Sequence, residues 1–265
     1  MCADPASGAD RREVTDRNDP VVAVFAGLRD PVIRNELGCF VAEGPDVVAQ
    51  AIAAGYELLC ALIDGRHDAP AGLPSTCAVF AASPKLIGQI TGLGVHRGVL
   101  ALVRRPVERR VHDVLAEARR IVVLEGVENP VNVGLIARSV AALGFDALLV
   151  DATSADPLYR RAVTASRGAT LQFPWTRVDS GDPSTLRKWG FLTVALTPDP
   201  GAADLRTLAL DASQRVALHV GTEGAGLGAA SLAAADVLAR IPMAGGVDSL
   251  NVATATAIAC WELGR

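Results

Sequence analysis

The chain has 265 residues, 50% of them hydrophobic, and a formal net charge of −4. That suffices for one or two domains with a sizeable core, and it excludes a protein that holds nucleic acid through overall positive charge, so any RNA contact must come from local basic clusters. Cys2, Cys39, Cys60, Cys77 and Cys260 form no CxxC pair and no metal-ligand spacing with the four histidines; they read as reduced, mostly buried thiols of a cytoplasmic protein with no metal site. No apolar run reaches the roughly 18 residues of a membrane span, and no hydrophobic segment with a cleavage site opens the chain.

Residues 1–18 mix Ala, Asp, Arg, Gly and Ser without periodicity and are expected as a tail, order beginning near Asp19. Residues 19–106 predict a small α/β domain. Apolar residues recur on a helical period over 21–28, and a brief strand covers 40–43. Pro45 and Gly55 bracket a helix, strands follow at 58–63, 77–81 and 98–103, and a helix covers 83–90. Arg29, Arg34, Arg97, Arg104 and Arg105 stand at loop or element ends, as solvated surface or as phosphate contacts. The charge run around Pro106 marks a domain boundary, with 107–118 a linker carrying a short helix.

From residue 119 strands alternate with helices: strands at 121–124, 147–150, 173–177, 191–196, 215–220 and 237–241, helices at 131–143, 157–165, 184–189 and from 250 to about 263. This pattern predicts a mainly parallel sheet covered on both faces, with ligands at the carboxyl ends of its strands. Two such ends are glycine-rich: Gly221-Thr-Glu-Gly-Ala-Gly226, with Glu223 in the loop, and Ile241-Pro-Met243 followed by Gly245 and Gly246, after which Ser249 is placed to cap the last helix. The first loop lacks the Lys-Ser/Thr of a phosphate loop, and no GxGxxG follows a first strand.

A third polar block, Glu125 to Arg138, follows the strand at 121–124. Pro130 suits a first helical turn, and Asn132 and Arg138 lie six residues apart on the helix, about 120° short of realignment, so that they flank a common pocket without sharing a stripe. Arg138 in an otherwise apolar helix asks for a partner, either a structural carboxylate or carbonyl, or a phosphate or developing negative charge.

Together these blocks resemble the SpoU family of the SPOUT superfamily, the TrmH-like RNA 2′-O-ribose methyltransferases. The first motif is matched by Glu128-Asn-Pro-Val-Asn-Val-Gly134 with Arg138 and Gly144, the second by Val220-Gly-Thr-Glu-Gly-Ala-Gly-Leu227, and the third by Ile241-Pro-Met243 with Val247-Asp-Ser-Leu-Asn-Val252. Ala165-Ser-Arg-Gly-Ala169 is similar to a further family segment, and the likeness covers 119–265. Phe40-Val-Ala-Glu-Gly44 and Gly98-Val-Leu-Ala-Leu-Val103 resemble, less specifically, an L30e-like RNA-contacting domain that often precedes the catalytic one.

The resemblance implies a SPOUT domain over 119–265 whose parallel sheet is threaded as a deep trefoil knot, preceded by an L30e-like domain over 19–106. It implies a homodimer that transfers a methyl group from S-adenosylmethionine to a ribose 2′-hydroxyl. It places Arg138, Asn132, Glu223, Ser249 and Asn251 at the catalytic centre, and Leu196, Gly221, Ile241, Met243 and Leu250 around the cofactor. Arg29, Arg34, Arg97, Arg160, Arg161 and Arg167 are the candidates for RNA contact, a solvated face being the other reading of each. Ribosomal RNA, 23S in particular, is favoured over transfer RNA. The other readings are an RNA-binding or ribosome-assembly protein on the same scaffold, and a methyltransferase acting on a small molecule or protein.

Overall fold

The computed structural model describes residues 11–66, 68–94, 97–179, 181–211 and 213–264; Cys2 and tail residues 1–10 lie outside them. The chain divides into two compact units, one of Met1–Pro106 with Leu158–Leu171, the other of Val107–Pro157 with Gln172–Arg265.

The first unit is built on a mixed sheet of β1 (Arg11–Glu13), β2 (Cys39–Glu43), β3 (Leu58–Asp64), β4 (Ala78–Ala82) and β5 (Val99–Arg104), in the order β1-β4-β3-β5-β2. Helices α1 (Asp30–Leu37), α2 (Pro45–Ala53) and α3 (Pro84–Thr91) each carry proline in the first turn, where the missing N–H costs nothing. Val22, Phe25, Leu62, Ile87 and Leu100 form the centre of one core cluster. The helical period at 21–28 is realised as a 3₁₀ helix, Pro20–Leu28, interrupted at Ala26 and at Gly27, whose φ is +67°. The expectation of a tail up to residue 18 is corrected: Arg11–Glu13 pairs parallel with Val79–Ala81, and Val14 is buried. All three β1 side chains are exposed, so no apolar pattern announces this edge strand; besides its main-chain pairing, Arg11 donates to the Gly65 carbonyl at 3.0 Å and Arg12 to Asp19 at 2.9 Å.

The second unit begins with α4 (Val111–Glu117), β6 (Arg120–Glu125), α5 (Pro130–Ala142) and β7 (Ala147–Val150). The chain then passes through α6 (Arg160–Ala165), part of the first unit, and α7 (Ala169–Gln172). It continues with β8 (Trp175–Arg177), α8 (Pro183–Lys188), β9 (Phe191–Leu196), β10 (Ala203–Asp204), β11 (Arg215–Gly221), α9 (Ala229–Ala234), β12 (Val237–Arg240) and α10 (Val252–Leu263). The sheet order is β10-β12-β9-β11-β6-β7-β8, and every pairing is parallel. Ile121, Val122, Val123 and Leu124 are all fully buried, as a parallel strand covered on both faces requires.

The helix expected within a linker packs instead into this unit: Val114 and Leu115 of α4 share a core cluster with Ile121 and Phe191. Arg215 fixes its end, donating to the carbonyls of Ala118 at 2.7 Å and 3.0 Å, of Trp189 at 2.7 Å and of Leu115, with its guanidinium 4.1 Å above the Phe191 ring. Among the described residues no helix is long and apolar enough to cross a membrane. Burial pushes the thiols of Cys60 and Cys260 up to about 12, which keeps them protonated and unreactive at neutral pH.

Candidate active site

The adjacency of β12, β9 and β11 brings three strand ends together, and a pocket opens there against the start of α10. Its wall includes Leu196, Val220, Gly221, Ile241, Met243 and Leu250, with Thr197, Glu223, Asp248 and Ser249 as polar members. The loop after β11 doubles back through a bridge between Thr222 and Gly226. A side chain on Gly221 would overlap the backbone of Gly226 and Leu227, so this turn needs glycine there for space rather than for φ. After β12 the chain turns through Gly245 and Gly246, at φ +69° and +74°, a region closed to most side chains.

Two carboxylates brace strand ends of this sheet, Glu125 the segment that follows the β11 loop and Asp151 the turns after β6 and β7. Glu125, level with Gly221 in the β6–β11 pairing, accepts from the Gly228 N–H at 2.7 Å and from the Ser231 hydroxyl at 2.5 Å. Asp151 accepts from the N–H of Gly126 at 3.2 Å, the N–H of Ser154 at 2.7 Å and the Thr153 hydroxyl at 2.6 Å. Burial pushes the Asp151 carboxyl upward, but Ser154, Thr153 and the Gly126 N–H together outweigh it and hold the group below the usual carboxylate value.

One member of each sequence block meets in a polar cluster. Glu223 Oε1 accepts from Asn132 Nδ2 at 2.8 Å and from Asn251 Nδ2 at 2.6 Å, and the two asparagines touch, Asn251 Nδ2 to Asn132 Oδ1, at 3.2 Å. Asn251 also caps α10, its Oδ1 accepting from the N–H groups of Ala253 at 2.9 Å and Thr254 at 3.3 Å. The capping role expected of Ser249 therefore falls to Asn251, because the turn lasts two residues longer and leaves Ser249 at the pocket wall.

All five residues expected around a cofactor line this single pocket, as do Glu223 and Ser249. Asn132 is buried and joined to Glu223. Arg138 is exposed and makes no hydrogen bond or ion pair among the described residues, so of the two kinds of partner that its sequence context asks for, no internal carboxylate or carbonyl among them fills the place.

The arginines of the first unit differ among themselves. Arg29, Arg97 and Arg161 are exposed, and Arg34 is half-buried. Arg97 borders a cleft of about 800 Å³ that also holds Asp64, Arg66 and Lys85. Arg160 is committed internally: its guanidinium pairs with the buried Glu43, and its N–H donates to Asp30 Oδ1 at 3.0 Å. Arg167 stands 3.2 Å from Asp46 at the surface, and Arg104 pairs with Glu57 at 2.6 Å. Sequence reasoning passed over Asp248, Thr197, Glu125 and Asp151; an acid next to Ser249, and acids at or just past strand carboxyl ends, are the signals that mark three of them.

The sequence model of the SpoU rRNA Methylase family matches residues 119–261. An uncharacterized tRNA/rRNA methyltransferase of Mycobacterium bovis is 39% identical, over 100% of this chain and 95% of that protein. A 23S rRNA guanosine 2′-O-methyltransferase of Bacillus subtilis is 27% identical over 87% of this chain and 90% of its own. The crystal structure of an AdoMet-bound rRNA methyltransferase from Sinorhizobium meliloti superposes with a TM-score of 0.80 at 28% identity, covering 95% of this chain and 97% of that one.

Proposed function

This chain belongs to the SpoU rRNA methylase family, and on that premise we propose that it methylates a ribose 2′-hydroxyl of ribosomal RNA, 23S RNA in particular, in the cytoplasm, with S-adenosylmethionine as donor. The observation that carries the reading is the meeting of Asn132, Glu223 and Asn251, one from each family motif, beside a pocket lined by all five expected cofactor residues. Aliphatic side chains and glycine-exposed main chain suit a purine and its ribose.

The bound donor supplies a methyl group activated by its sulfonium charge. The residues of this chain must hold the attacking oxygen in line and stabilise its alkoxide character as the proton leaves. The two asparagine amides fix Glu223 and so lock the three motifs to one another. Ser249, on the pocket wall, orients the hydroxyl. Arg138, a guanidinium that stays protonated, clamps an RNA phosphate and stabilises developing charge; its exposure and the lack of a partner among the described residues leave it open for this. Within the first unit, exposed Arg29, Arg97 and Arg161 offer phosphate contacts of their own, Arg97 sharing its cleft with Lys85.

The family's knotted, dimeric form belongs to the same reading. The sheet places β12 beyond β9 although it follows β11 in the chain, a crossing that such threading needs. On α5 and α10, which pack together, Leu135, Ile258 and Trp261 are 39%, 37% and 56% exposed, an apolar surface that a second copy would cover.

The test is methyl transfer from labelled S-adenosylmethionine to unmodified ribosomal RNA and, separately, transfer RNA, the second because the M. bovis relative is named for both. The product should be a 2′-O-methylnucleoside of ribosomal RNA. Arg138→Ala should lower turnover by roughly 100-fold, the scale of a lost electrostatic contact in the transition state, with folding unchanged. Near-normal turnover of that variant would remove Arg138 from the mechanism. Cofactor binding without transfer to either RNA, naked or in ribosomal particles, would favour an RNA-binding or assembly role.

A further inference from the structure

The pocket's lining is of two kinds: aliphatic, with Val220 and Val252 buried and Leu196, Ile241 and Ala255 beside them in the wall, and acidic, with Glu223 and Asp248 both exposed; among the described residues no lysine or arginine lines it. Of the two carboxylates, Glu223 is occupied, one oxygen accepting from both Asn132 and Asn251. Asp248 makes no hydrogen bond or ion pair among the described residues, although it is placed by the Gly245–Gly246 turn before it and the Asn251 cap after it.

S-Adenosylmethionine is itself polar in one direction, with a heterocycle at one end and an amino-acid group at the other. Its purine suits the aliphatic side chains, where little hydration is lost, and its amino-acid group the exposed carboxylates. A carboxylate accepts and cannot donate, whereas an ammonium offers three donors; a sulfonium offers none. We propose that Asp248 binds the α-ammonium group of the methionine portion of the cofactor, which makes it a cofactor-binding residue in addition to the five expected around the cofactor. The proposal rests on the methyl-donor reading above.

The test is isothermal titration of the full-length protein and its Asp248→Asn variant with three ligands: S-adenosylmethionine, S-adenosylhomocysteine and 5′-methylthioadenosine. The first two carry the ammonium; the third has the same nucleoside and sulfur without the amino-acid end. Asparagine preserves size and removes the charge, so the turn keeps its shape. The expected result is a loss on the order of 5- to 10-fold for both amino-acid-bearing ligands, as for a partly exposed charge-assisted contact, and no change for 5′-methylthioadenosine. Equal weakening of all three would make Asp248 a brace of the turn, and weakening of S-adenosylmethionine alone would make the sulfonium its target. Either result, or no weakening at all, overturns the proposal. A wild-type protein that binds none of the three would instead overturn the methyl-donor reading.

Discussion

His219 lies in the middle of β11, fully buried, and neither ring nitrogen has a hydrogen-bond partner among the described residues. Burial pushes its pKa down to about 4, with Asp182 opposing weakly. Between pH 6.5 and 4 the unfolded chain therefore binds a proton that the folded chain refuses, so this residue costs stability as pH falls through that window. The full cost is about 3 kcal/mol. His219→Leu should abolish that slope, seen as a smaller difference between urea midpoints at pH 7 and pH 4.5 than in the wild type. At pH 7 it should add roughly 1–3 kcal/mol, since two unpaired nitrogens leave the core. At this scale much of the candidate site was legible: Asn132, Glu223 and Asn251 stand in blocks whose glycines and polar spacing draw notice. For Arg138 the sequence leaves two readings open, an internal partner or a phosphate. The residues around it in sequence are apolar, but Leu135, three positions earlier on the helix, is exposed too, so this face of α5 is not part of the core of a single chain.

Among the elements, α2, α3, α5 and α8 match their expected spans closely, because proline at N1 and a glycine past the end act locally; α1, which also carries proline in its first turn, was not expected. Six of the seven strands of the second sheet were equally plain, as short runs between turn residues; the two-residue β10 was not anticipated. What escaped was set by distant contacts. β1 is three charged residues that become a strand only by pairing with β4, and α4 reads as linker until Val114 and Leu115 meet the sheet. Arg215 shows how α4 is secured: three carbonyls, of Leu115, Ala118 and Trp189, share one guanidinium that lies over Phe191. Arg215→Ala strips those carbonyls of their donor and should lower stability by about 2–4 kcal/mol, read from chemical denaturation, because the bonds are charge-assisted and partly buried. Lysine, with a compact head instead of a planar fork, should restore less than half of the loss.

For the whole molecule, the proposed dimer makes a direct claim on the exposed stripe of α5 and α10. Trp261 is the largest side chain on it, and large aromatics dominate the energetics of such contacts. Trp261→Arg should convert a dimer into monomer at micromolar concentration, measured by sedimentation velocity, while the monomer keeps its fold; a wild type that already sediments as monomer would end the dimer reading. The division of the chain was only partly visible in sequence. A charged stretch with proline marks the junction near Pro106, but nothing in the composition of 158–171 says that this stretch sides with the first unit. Its allegiance comes from Leu158 and Val163, which are buried, from Arg160 on Glu43, and from the Tyr56 hydroxyl on the Leu171 carbonyl at 3.0 Å. The first unit is thus written in the gene as two separated pieces, and it cannot be exchanged between relatives with one crossover. A chimera joined only at Pro106 would pair one parent's Glu43 and Tyr56 with the other parent's 158–171, leaving a buried carboxylate that depends on a foreign arginine. Recombination that carries both pieces together keeps that pair intact.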